Sequence, residues 1–310
     1  MLQTLWKGSA PLTATGLLMI AALLVALAGL TLDPRIITGA PAWLKPAKFA
    51  VSIAIYTFTL AWIFTVIPEW PRTRRTVGWM TAVAMIVEVV IIDLQAFRGT
   101  TSHFNVATAV DGVLFGIMGI TIVVQTLSSI AVAVALWRHR FEDAALGWAL
   151  RVGMIITIVG AMTGGLMTRP TRLQLDAARA GETMTVVGAH TVGAPDGGPG
   201  LPGTGWSTGH GDLRVPHFLG LHALQALPLI ALVLARRRVS DVVRVRLTLI
   251  GAASYFALYG ILVWQALRGQ SMLAPDPLTV TLFGVLVFGT AAAAAAAVLR
   301  PRAAQTAVLA

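Results

Sequence analysis

The apolar residues of this chain run in blocks rather than in the short periodic patterns of a soluble core. Eight such blocks fall near 12–32, 47–67, 77–97, 106–136, 144–167, 216–235, 247–267 and 278–299. Each is about 20 residues long or more, enough to cross the hydrocarbon at about 1.5 Å of rise per residue. A backbone in lipid must satisfy its own hydrogen bonds, so the blocks predict helices. The expected fold is an all-α polytopic membrane protein of eight transmembrane helices. The 106–136 block exceeds what the bilayer needs and predicts a tilted or projecting helix. The first block follows Lys7 without a clear small-residue cleavage site, and reads as a retained span rather than a signal peptide.

Composition agrees with this pattern. Hydrophobic residues make up 56% of the 310 positions and charged residues 12%, against about a quarter charged in a soluble domain. The absence of cysteine excludes disulfides, thiolate metal sites, iron–sulfur clusters and cysteine nucleophiles. The net charge of +10 comes from arginines that flank apolar blocks, so it encodes topology and not nucleic-acid binding. The clusters at 72–75 (RTRR), 138–140 (RHR) and 236–238 (RRR), together with Lys7, Arg300 and Arg302, fall on one side. The expected location is the inner (plasma) membrane, with both termini cytoplasmic.

One connection, 168–214, is long, rich in Gly and Pro, and placed on the outer side by this topology. Long loops in compact domains are functional or disordered. Because this one carries His190, Trp206, His210, Asp212 and Arg214, an ordered lid is expected. An internal repeat is also visible. QAFRG at 95–99 matches QALRG at 265–269, an offset of 170, and each leads to a span containing Gly and Phe. Leu44, Lys45 and Phe49 match Leu213, Arg214 and Phe218 at an offset of 169. The expectation is two tandem four-helix units, 1–140 and 141–310, in parallel orientation, with the lid in the second. The alanine run 291–297 predicts a tightly packed or homo-oligomeric face.

An ionisable side chain inside a span costs at least about 2.5–3.5 kcal/mol at the helix centre and marks function or pairing. Glu88, Asp93, Asp111 and Arg151 are such residues. Counting along the helices puts Asp93, Asp111 and His222 about 7 Å below the outer surface. Gln225 lies one turn deeper than His222, Gln95 and Gln265 just above the layer, and His103, Asn105 and His217 at the mouth. Glu88 lies midway. It is expected to pair with Arg151 or to relay protons. Arg98 and Arg268 are expected to cap helix ends or to hold an anionic ligand.

Five of the six histidines (His103, His190, His210, His217 and His222) fall in this outer layer or above it. Imidazoles with carboxylates suit a divalent transition metal or general acid–base chemistry near neutral pH. The expected metal set is His103, His217, His222, Asp93 and Asp111, and the expected catalytic set is Asp93, Asp111, His222 and Glu88. Gln95, Arg98, Asn105, His190, His210, Asp212, Arg214, Gln225, Gln265 and Arg268 are expected to bind a small-molecule or lipid ligand. Haem fits less well, because no two histidines face each other across a four-helix core. His217 and His222, five apart, point about 140° apart on a straight helix. The pattern favours a membrane enzyme acting on a lipid, quinone or small periplasmic molecule. A proton-coupled transporter or channel, or a membrane assembly or sensor protein without chemistry, is the alternative.

Overall fold

The computed structural model describes residues 2–299, so Arg300 and Arg302 lie outside the described residues. The molecule is an all-helical bundle. In chain order its helices are α1 (Leu2–Gly8), α2 (Ala10–Leu32), α3 (Leu44–Val66), α4 (Pro71–Arg98), α5 (Ala109–Arg138), α6 (Ala144–Met167), α7 (Arg172–Arg179), α8 (Arg214–Leu221), α9 (Ala223–Ala235), α10 (Asp241–Leu267) and α11 (Pro277–Leu299). Seven are long and apolar enough to cross a membrane, or eight when α8 and α9, bent by 48° at their junction, are taken together as one span. This is the architecture of a multi-pass membrane protein.

Successive spans run up and down, so the clusters at 72–75, 138–140 and 236–238 gather at one end of the bundle. The loops 33–43, 99–108 and 168–213 gather at the other, the lid end. Capping residues follow the chemistry of helix termini. Thr108 accepts from the Asp111 amide, Asp143 from Ala145 and Leu146, and Ser240 from Val243. Gly99 closes α4 in the left-handed region at φ 76°.

Within the first half α2 packs on α3 and α4 on α5; within the second, α6 packs on α8–α9 and α10 on α11. The arginine-rich end is solid. Leu12, Leu60, Phe64, Leu136, Leu150 and Met154 are fully buried against one another there. Arg74 ties α1 to this end by donating to the Lys7 and Gly8 carbonyls at 3.0 Å each.

The expected Glu88–Arg151 ion pair does not form. Arg151 lies near the start of α6, donates to the Leu136 and His139 carbonyls at 3.1 and 2.8 Å, and sits over the rings of Trp137, Phe141 and Trp148. An aromatic cage and free helix-end carbonyls hold this cation without a carboxylate.

The bend between α8 and α9 falls at His222, six residues before a proline inside α9. Pro228 has no amide hydrogen and cannot donate to the Leu224 carbonyl one turn earlier. The Thr157 hydroxyl of α6 bridges the break, donating to the Leu221 carbonyl at 3.3 Å and accepting from the Leu224 amide at 3.1 Å. Non-helical backbone at membrane depth is tolerated where such partners supply the missing bonds.

Candidate functional site

The lid is folded. Thr191–Val192 and Gly211–Asp212 pair as short antiparallel strands, and Gly200 bridges to Ser207. Asp212 accepts from the Ser207 amide and from Arg214, closing the segment against the start of α8. The lid reaches across to the first half: Lys48 at the start of α3 donates to the Thr204 carbonyl at 2.6 Å. Gly197 lies so close to Gly39 that a Cβ at Gly39 would come within 2.4 Å of the Gly197 carbonyl oxygen.

Under the lid, between the halves, lies a cavity of about 2390 Å³. Among the expected site residues, Glu88, His103, His190, His210, Arg214, His217, His222 and Gln225 line it. All five histidines of the expected outer layer are therefore brought to one space, helped by the bend that turns His217 and His222 into it together.

His190 is locked by Asp196, whose carboxylate accepts from Nδ1 at 2.6 Å and from the His190 and Thr191 amides. His217 donates from Nδ1 to the Gly160 carbonyl at 2.7 Å. That bond needs α8 pressed against α6. Gly160 and Gly220 permit it, since a Cβ on either would come within 2.5 Å of the other's Cα. A carboxylate and a carbonyl can only accept, so both rings carry the proton on Nδ1 and leave Nε2 as an unprotonated lone pair. His103 is the reverse. The Lys45 ammonium donates to its Nδ1 at 2.9 Å, so the proton sits on Nε2, 3.5 Å from Glu88 Oε1. Burial, then the nearby Lys45 charge, holds His103 well below the usual imidazole range. Burial likewise lowers His190, although Asp196 opposes it.

The remaining expected site residues do not face the cavity. Asp111 is fully engaged, accepting from Gln95 at 2.9 Å, from Arg98 at 2.7 Å and from the Thr108 hydroxyl at 2.6 Å. It fastens α4 to α5, so Gln95, Arg98 and Asp111 form a structural cluster. Asn105 holds its own loop through Thr100, Thr101 and Ala107. Gln265 donates to the Ser271 carbonyl, and Arg268 pairs with Asp276 at 2.5 Å and stacks over Trp264. Asp93, on α4, lies outside the cavity lining, and Asp212 is held by Arg214. The floor expected from Asp93, Asp111 and His222 is thus not assembled: counting residues gives depth along a helix, not direction around it. Nor do the metal-set residues gather; among the described residues no three His, Asp or Glu side chains converge as a metal centre.

Cavity residues that escaped the sequence reading as site candidates include Lys45, Lys48, Arg169, Arg172, Asp196, Tyr56 and Gln125. Lys45 lies in sequence just before a span, where a basic residue counts only toward topology. Only the pairing of Leu44-Lys45 with Leu213-Arg214 hinted otherwise. No known protein family, curated protein or solved structure matches this chain.

Proposed function

We propose that this protein is a membrane enzyme that moves protons to and from a substrate held in the lidded cavity. The observation carrying this reading is the pair of imidazoles, His190 and His217, both lining the same cavity and each clamped at Nδ1 so that Nε2 stays unprotonated and free to accept. His190 and His217 act as general bases, with Asp196 orienting the first. Lys45, His103 and Glu88 form the complementary proton-donating chain. Such groups, placed under a lid that limits water, suit acid–base catalysis.

The positive-inside distribution supports placing the cavity on the extracytoplasmic face of the plasma membrane, with both termini in the cytoplasm. The solid arginine-rich end favours an enzyme over a channel, because Phe64, Leu136 and Leu150 pack there as a buried apolar cluster rather than lining a passage.

A metal-dependent form of the same chemistry has one supporting observation. A carboxylate bonded to the far nitrogen of an imidazole is the usual outer partner of a metal-bound histidine, and Asp196 stands so to His190.

Tandem duplication of a four-helix unit accompanies this reading. Helix neighbours recur in the same order in both halves. Gln95 and Gln265 each donate to the carbonyl six residues on, and Gly99 and Gly269 share φ of 76° and 71°.

The test is replacement of His190 and His217 by Ala in cells that depend on the protein. Loss of the native role at normal membrane levels supports the enzyme, and full retention by both variants removes it. Solute uptake coupled to protons in vesicles would replace it with transport. Elemental analysis of the purified protein decides the metal: a stoichiometric ion lost in both variants assigns it to this pair.

A further inference from the structure

The cavity is not closed on all sides. α5 and α6 are joined by the short turn 139–143 and held together there by Trp137 against Trp148 and by Arg151. Toward the lid end they part: α5 is fastened to α4 through Asp111 and Arg98, and α6 leans on α8 at Gly160 and Gly220. The V between them is lined by Gly119, Ile122 and Val123 of α5 and Ala161, Met162 and Gly165 of α6. Val123 and Met162 line the cavity yet are 59% and 65% exposed on the surface. A Cβ at Gly119 or Gly165 would meet nothing within 4 Å. The cavity therefore opens sideways through apolar residues, on a surface that the hydropathy of both helices puts among lipid chains.

Inside, three acceptors have no donor. Glu88 Oε2, Gln125 Oε1 and Gln225 Oε1 are buried without a hydrogen-bond partner, and all three residues line this cavity. Glu88 itself is 1% exposed. Unmet buried acceptors are costly and call for a donor from a ligand or water. The lining also carries five cations, Lys45, Lys48, Arg169, Arg172 and Arg214, against the carboxylates of Glu88 and Asp196.

We propose that the substrate is a long-chain lipid with a hydroxyl-bearing, negatively charged head group, and that it reaches the cavity sideways from the bilayer between α5 and α6. This rests on the reading of the cavity as a reaction chamber. The hydrocarbon chain stays in the V, where a water-soluble molecule would gain nothing from an apolar slot. The head passes inward, its hydroxyls donating to Glu88, Gln125 and Gln225 and its charge facing Lys45 and Lys48.

The full chain is placed in phosphatidylcholine vesicles containing a minor fraction of diazirine-bearing phosphatidylglycerol, illuminated, and its cross-links are mapped. Interior labelling at Phe49, Ile53 and Met118 is expected, besides labelling of the outward Phe288 of α11. The double variant Gly119→Trp/Gly165→Trp should lower interior labelling about tenfold, equivalent to about 1.4 kcal/mol, and leave Phe288 unchanged. If the tryptophans disturb folding, Gly119→Cys in this cysteine-free chain accepts a bulky maleimide after folding, with the same loss expected. Absence of interior labelling, or labelling unchanged by either plug, overturns the lateral route. Equal interior labelling by diazirine phosphatidylcholine, or stronger labelling by a diazirine quinone, overturns the head-group assignment. His190→Ala separates the two readings. It should abolish the native role while keeping interior labelling, and retention of both there and in His217→Ala would remove the enzyme reading alone.

Discussion

The two ends of this bundle are built from the same helices and packed in opposite ways. At the arginine-rich end α2 through α6 fill the space between them with Leu60, Ile63, Phe64, Leu150 and Met154, all at 0% exposure. At the lid end α3 through α6 stand apart around about 2390 Å³, into which α3 and α5 bring ammonium and amide groups and the loops, the lid and α8 bring the imidazoles. In lipid no hydrophobic force drives helices together, so close contact and hydrogen bonds must do it. The solid end supplies the contact and lets the other end stay hollow. Removing packing there should have the largest effect of any substitution considered. Phe64→Ala is expected to lower stability against detergent-induced unfolding by about 3–5 kcal/mol. Phe115→Ala, half-buried beside the cavity, should cost well under half as much, because only its contacts on the Phe104 side are lost. Equal losses would mean that the cavity wall is as tightly packed as the floor.

The second contrast is between α3, which crosses in one piece, and α8–α9, which does not. In α3 the Thr57 hydroxyl donates to the Ile53 carbonyl of its own helix at 2.8 Å, a carbonyl already bonded within the helix. Thr57→Val should change stability by less than about 0.5 kcal/mol. Thr157 serves a broken helix, and Thr157→Val leaves the Leu224 amide and Leu221 carbonyl without their side-chain partner. The expected loss is about 1–3 kcal/mol, read in the same unfolding experiment. It should be accompanied by movement of His222, seen as a change in its imidazole NMR signal.

What the sequence allowed to be read follows the same division. Long apolar blocks announce helices because length and hydropathy suffice, and the arginine clusters order them up and down. The bend at His222 was not legible, since the block 216–235 reads as one span and Pro228 stands six residues beyond the break. The five histidines were legible as a layer because depth needs only counting. Which carboxylate joins them was not. Asp93 and Asp111 share the layer with His222, but one lies away from the cavity and the other is consumed by Gln95, Arg98 and Thr108. Asp196 was hidden for another reason: in a loop rich in Gly and Pro, nothing short of the folded lid shows that it meets His190.

The lid end should also differ from the solid end in its response to pH. His103 and His190 are held neutral by burial, with folded pKa values below the usual imidazole range. An unfolded loop would take up protons below about 6.5 where the folded one does not, so folding of the lid weakens as pH falls through that value. Asp196 adds to this in the same direction. Burial pushes its pKa up, but the bonds from His190 and from the His190 and Thr191 amides outweigh this and depress it, so its stabilisation is complete at about pH 5 and fades only in stronger acid. Amide exchange in 188–196 should therefore speed up several-fold between about pH 7.5 and 5, after correction for intrinsic rates. Exchange in the α3 and α6 segments of the solid end should stay flat. Asp196→Asn should make the lid exchange faster already at neutral pH.

The smallest effect belongs to Asp93, and its smallness is informative. Glu88 and Asp93 sit five residues apart on α4, about 140° around the helix from each other. Glu88 faces the cavity, 3.5 Å from His103 Nε2, and Asp93 does not. Asp93 Oδ1 is buried without a partner, so the carboxylate gains little from its surroundings, and Asp93→Asn keeps the shape while removing the ionisable group. Stability should move by less than about 0.5 kcal/mol, and the native role and interior lipid labelling should be unchanged. Glu88→Gln, of equal size and on the same helix, should impair the native role because His103 loses the carboxylate beside its Nε2. If instead Asp93→Asn silences the protein and Glu88→Gln does not, the working face of α4 points away from the lidded cavity, and the chemistry belongs on the opposite side of that helix.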